Sequence, residues 1–182
     1  MATIYTEGNS LNPDTYVELF IFDMTLIRNK NGQVGSNHYY TNTPTGGLSA
    51  PIIWQGNSYY PLPFDFTGVD NRGDGTSFSR PSLNVSNLNK ELMISLISMG
   101  DLVGTKVTRY RTFYKFTDNG TEPNAGAYFP VNEYYITRKV SQNNKALQFE
   151  MSGALDRPGL KLPRRVILRD LGFPGVSRVR GR

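Results

Sequence analysis

The chain has 182 residues, enough for one domain with a true core, and its 18 Gly and 11 Pro are scattered as turns between short strands would need. It has no cysteine, which excludes disulfides, Cys-ligated zinc and thiol catalysis; no window approaches the ~18 apolar residues of a membrane span; and Met1–Glu7 lacks the basic start and apolar run of a secretion signal. The net charge of +5 is unevenly spread: eight basic residues against one acid from Arg157 onward, but 12 basic and 14 acidic residues before it.

In chain order, Tyr16–Leu26 reads as a strand covered on both faces, with Val17, Leu19 and Ile21 on one side and Phe20, Phe22 and Met24 on the other. A turn-rich segment, Arg28–Gly47, follows, and His38-Tyr39-Tyr40 within it is a strand or a packed loop. Pro51–Trp54 and Ser58–Phe66 form a hairpin around Gln55-Gly56-Asn57, residues that tolerate positive φ. After a glycine-rich loop, Gly68–Gly75, comes a short strand, Ser82–Val85. From Asn87 the period changes: Leu88, Leu92, Leu96 and Met99 form one stripe, with Asn87 as N-cap and Gly100 as stop, so an amphipathic helix is expected there. Lys106–Phe116 alternates, placing Thr108, Tyr110, Thr112, Tyr114 and Phe116 on one face and Arg109, Arg111 and Lys115 on the other. Asn132–Ser141 and Ala146–Ser152 are a last strand pair. The sum is a mainly β chain of about eight strands and one helix, mostly antiparallel because the connections are short.

Chemistry is hard to find. The one histidine, His38, has no Gly-x-Ser-x-Gly elbow to serve and no companion ligand for a metal, so its reading is structural. The Asp65–Asp74 loop lacks calcium-loop spacing and a closing glutamate. Arg72-Gly73-Asp74 and the acceptor patterns at Asn84 and Asn119 are short enough to arise by chance, and no phosphate-cradling Gly-x-x-x-x-Gly-Lys occurs. Peptidoglycan hydrolysis would need a catalytic set that the sequence does not single out. No catalytic, cofactor or metal residue is therefore assigned.

The block Ile53–Pro63, with Trp54, Gly56, Tyr59 and Pro61, runs on into Gly75-Thr76-Ser77 and Arg80-Pro81-Ser82-Leu83-Asn84-Val85-Ser86-Asn87. Then, in order, come Leu102-Val103-Gly104, Val107-x-Arg109, Glu133–Arg138, Arg157-Pro158-Gly159 and Pro163-Arg164-Arg165-Val166. This ordered set, from Tyr16 to Phe173, resembles the phage minor tail protein L family of lambda-like siphophages. The resemblance implies an antiparallel β-barrel or sandwich of tail-tube-like hub type, flanked by the helix, in a phage tail tip. It implies a virion structural protein, not an enzyme, in a ring that joins the tail tube to the central fibre and lines the DNA channel. The implied partners are the distal tail protein, the central fibre or hub protein and copies of itself in a homotrimer, with DNA only passing through; assembly would take place in the host cytoplasm.

Family members typically continue into a four-cysteine iron–sulfur domain. This chain has no cysteine, so a short form without cluster, metal or redox role is expected. The chain divides into a β-rich hub domain, 1–156, and a basic C-terminal arm, 157–182. Arg157, Lys161, Arg164, Arg165, Arg169, Arg178, Arg180 and Arg182 are the arm's candidate contact residues. Apolar residues such as Leu160, Val166 and Phe173 are interleaved among them, which suits docking on a neighbouring protein. The alternative is a basic nucleic-acid-binding accessory protein that uses the arm and the Arg109/Arg111/Lys115 face.

Overall fold

The computed structural model describes residues 3–29, 31–43, 50–68, 80–86, 99–143 and 146–156. A short helix α1 (Ile4–Gly8) precedes nine strands: β1 (Tyr16–Asp23), β2 (Asn37–Thr41), β3 (Ile52–Trp54), β4 (Asn57–Pro61), β5 (Phe64–Thr67), β6 (Ser82–Ser86), β7 (Lys106–Phe113), β8 (Asn132–Gln142) and β9 (Ala146–Gly153). They form one sheet in the order β3-β4-β2-β1-β7-β8-β9-β6-β5. Every pairing is antiparallel except β2 with β4.

The sheet is mainly β and sandwich-like rather than a closed barrel. β4 and β5 lie near opposite ends of the strand order, yet only Leu62 and Pro63 separate them in sequence. The sheet must therefore roll until its ends meet through the chain. At the join, Leu62 N–H donates to the Thr41 carbonyl and Ser86 N–H donates to the Pro63 carbonyl, both at 2.9 Å. Across the roll the rings of Phe20 on β1 and Phe64 on β5 stand edge to face, 4.6 Å apart, although four strands separate them in the sheet.

β1 divides the interior. Phe20, Phe22 and Met24 enter the main core with Leu83, Phe149 and Met151, while Val17 and Leu19 enter a second core with Ile52, Trp54 and Tyr59. Both faces of β1 are thus covered, as its two apolar faces predict. A third cluster, Ile4, Phe113, Phe116 and Ala127, seats α1 on the sheet.

The differences from expectation have local causes. Ser58–Phe66 is two strands, because the chain bends at Leu62-Pro63 and Pro63 has no N–H to give to a ladder. His38–Tyr40 lies in a true strand, so the strand count is nine rather than about eight. The alternation of Lys106–Phe116 stops at Phe113, where Tyr114–Phe116 tightens into a 3₁₀ turn and Tyr114 N–H donates to the Thr15 carbonyl. α1 went unread because its capping box uses Thr3 and Thr6, without the usual glutamate, over only five residues. The β2–β4 pair is the one parallel pairing among the described strands, within the mostly antiparallel sheet that short connections predict. The expected helix from Asn87 lies outside the described residues, as does the Gly68–Gly75 loop beyond its first residue. Gly100, the expected stop, has φ +66.

Candidate interaction surfaces

The motif residues serve shape. Trp54 and Tyr59 are fully buried, and Gln55 and Gly56 turn the β3–β4 hairpin with φ of +52 and +74. Both positive values belong to the tight turn that matches strand twist. The turn is tied to a distant loop: Gly56 N–H donates to Asp118 Oδ2 at 3.0 Å, and the Gln55 side-chain amide donates to the Ala125 carbonyl at 2.9 Å. Trp54 packs against Tyr110 of β7 at 5.0 Å and against Tyr128 at 5.9 Å, so the hairpin lies over the outer face of β1 and β7. Trp54 Nε1 and the Tyr59 hydroxyl are buried without hydrogen-bond partners. Burial, reinforced by neighbouring Tyr39 and Tyr110, pushes the Tyr59 hydroxyl well above its ordinary pKa.

Two of the three cations of the expected face are spent internally. Arg109 pairs with Glu18 at about one-eighth exposure and lies 5.2 Å over the Phe66 ring. Lys115 is in the 3₁₀ turn, not on the strand face, and bridges Glu7 at 3.1 Å and Glu122 at 3.5 Å. Its ammonium pKa is raised, chiefly by the hydrogen bond to Glu7. Lys106 is raised in the same way by Glu133, 2.7 Å away. Arg80 of the Arg-Pro motif pairs with Glu150 at 3.5 Å and Asp156 at 3.0 Å, which fixes the end of the described body. Among the described residues only Arg28 and Arg111 are cations without a carboxylate partner. Sequence reading missed these pairings because Glu18 and Glu7 lie 91 and 108 residues from their partners.

His38 stacks on Tyr40 and shares a hydrogen bond with Ser36, a structural setting. Among the described residues no group of three or more His, Asp or Glu gathers as metal ligands would, and no helix is long and apolar enough to cross a membrane. The eight basic residues of the arm, Arg157 to Arg182, lie outside the described residues.

The described residues form a rolled β-sandwich whose motif positions fix its backbone and whose cations are mostly paired internally. A family model for phage minor tail protein L matches residues 32–178, and the chain belongs to that family. It is therefore a phage tail component, found in the virion. It is similar to the tail tip protein L of Escherichia phage lambda, 29% identical over 141 residues that cover 75% of this chain and 60% of that protein. The chain thus spans less than two thirds of that relative's length. In fold it is similar to a chain from the virion of a native gene transfer agent particle, with TM-score 0.55, 13% identity, and coverage of 91% of this chain and 49% of that one. The four-cysteine cluster that the resemblance implies would find no cysteine ligand in this sequence.

Proposed function

We propose that the chain is a non-catalytic subunit of the tail-tip hub, one of a ring of copies, in threes, that joins the tail tube to the central fibre and surrounds the DNA channel. The match to the minor tail protein L family over 32–178 carries this reading. Charge is consistent with it: among the described residues eight basic side chains face eleven acidic ones, and six of the eight cations already hold a carboxylate. A wall with few free cations lets phosphates slide past, whereas a basic wall would hold them. The arm, through Arg157, Lys161, Arg164, Arg165, Arg169, Arg178, Arg180 and Arg182, reaches the adjoining distal tail or central fibre protein. Electron microscopy of intact particles, or of co-assembled tail proteins, should show threefold rings containing this chain. A chain that stays monomeric with every tail component and is missing from particles would end the proposal.

A second reading rests on the arm's surplus charge: a nucleic-acid-binding accessory protein. With Arg109 and Lys115 committed to carboxylates, it depends on the arm and Arg111. A salt-dependent gel shift of the full chain that disappears in a chain ending at Asp156 would favour it; negligible binding by both would remove it.

A further inference from the structure

One surface of the body remains unused. The rings of Tyr5 and Tyr16 both touch Phe129, Tyr5 at 6.0 Å and Tyr16 at 6.4 Å, over a buried Phe113. Tyr5 and Tyr16 are 61% and 42% exposed. The Arg111 guanidinium lies 5.9 Å over the Phe129 ring. Its Nη2 donates to the Pro130 carbonyl at a long 3.4 Å, and its Nε is buried without a hydrogen-bond partner. Arg28, the other described cation without a carboxylate, donates within its own turn to the Gly32 carbonyl at 3.1 Å. Arg111, which also hydrogen-bonds the Tyr16 side chain, is therefore the described arginine beside the aromatic patch that has no carboxylate partner. Exposed tyrosines held rigidly beside an arginine that lacks a counter-ion have the composition of an interface centre.

The complement is on the same chain. Asp65, exposed on β5, is the one described carboxylate with neither an ion pair nor a hydrogen bond. It lines a cleft of about 390 Å³ with Asn42, Pro63 and Asn84, a concave, polar-rimmed seat for a long side chain. Arg111 and Asp65 sit on different strands and do not pair within the chain.

We propose that the Arg111–Tyr16–Phe129 patch of one copy docks on the Asp65 cleft of a second copy. A second copy fits because the described body has more acids than bases, so it meets Arg111 with carboxylates and few free cations. Contact between two unlike surfaces of one chain repeats from copy to copy and closes where the rotation allows, as a ring requires. This rests on the hub reading only in supposing several copies side by side.

The test is self-association of the full chain by sedimentation, for wild type, R111D, D65R and the R111D/D65R double reversal, each checked for fold by circular dichroism. Each single reversal should weaken association about tenfold or more, and the double reversal should return it to within about threefold of wild type. Single variants that associate like wild type, a double variant no better than the singles, or a wild type that never associates would each overturn the proposal. Asp65 is exposed, so D65R decides the matter even where R111D fails to fold. Rings in tail tips that are unaffected by either reversal would leave the hub reading standing and remove this one.

Discussion

Glu18 and Arg109 are 14% and 13% exposed, and Glu18 also accepts a bond from Asn42 Nδ2 at 3.2 Å. Arg109 cannot re-solvate when its partner is lost, and its Nε is already unpartnered. Glu18→Gln should therefore cost about 3–5 kcal/mol in urea unfolding, the scale of an uncompensated buried charge. Arg138 is 69% exposed and pairs with Glu150; Arg138→Ala should cost less than about 1 kcal/mol, because water replaces the partner. Tyr59 gives a pH signature. Its folded pKa is raised by burial, so folding favours the neutral hydroxyl and that stability is complete below the unfolded value of 10.0. Above it the unfolded chain ionises first, and stability falls as pH climbs toward the folded value. Tyr59→Phe should flatten the decline above pH 10 without destabilising at neutral pH, since the hydroxyl has no partner to lose. Tyr16, Tyr110 and Tyr134 are raised in the same direction, so a smaller slope will persist.

At the scale of elements, the β3–β4 hairpin is held over the outer face by its rings more than by its ladder, for β4 meets β2 at only two residue pairs, Tyr40 with Tyr60 and Thr41 with Pro61. Trp54→Ala should remove about 3–5 kcal/mol by emptying that core, and limited proteolysis should then cut first within the hairpin. An unchanged midpoint would show that the hairpin contributes little to the fold. The sequence announced this hairpin clearly, since positive-φ residues between apolar runs are a local signal. It announced β1 equally well, through Val17 and Leu19 opposite Phe20 and Phe22. What it could not announce was anything set by distance along the chain. The parallel β2–β4 contact, the roll that brings Phe64 onto Phe20, and the break at Leu62-Pro63 depend on strands meeting across the sheet, and period alone does not encode partners. The candidate site fared likewise. Arg109 and Arg111 do alternate onto one face, as the spacing indicates. Yet Glu18, which neutralises Arg109, belongs to another strand, so a free basic surface was inferred where an ion pair exists.

For the whole molecule, the last question is whether the basic arm belongs to the body's fold or only to its assembly. The three apolar clusters among the described residues draw on positions from Ile4 to Met151, and Arg80 holds Asp156 at 3.0 Å just where the arm departs. With three clusters drawn from residues ahead of Asp156, the body is expected to fold without the arm. A chain ending at Asp156 is therefore expected to unfold within a few degrees of the full chain, a difference of less than about 1 kcal/mol for a domain of this size. The same truncation should prevent incorporation into tail tips, measured by the chain's abundance in purified particles, because it removes seven net positive charges together with the apolar anchors between them. A large drop in melting temperature would instead make the arm part of the core and move the domain boundary. Normal incorporation of a well-folded truncated chain would shift the assembly contact from the arm to the body, where the Arg111 patch and the Asp65 cleft are the surfaces equipped to provide it.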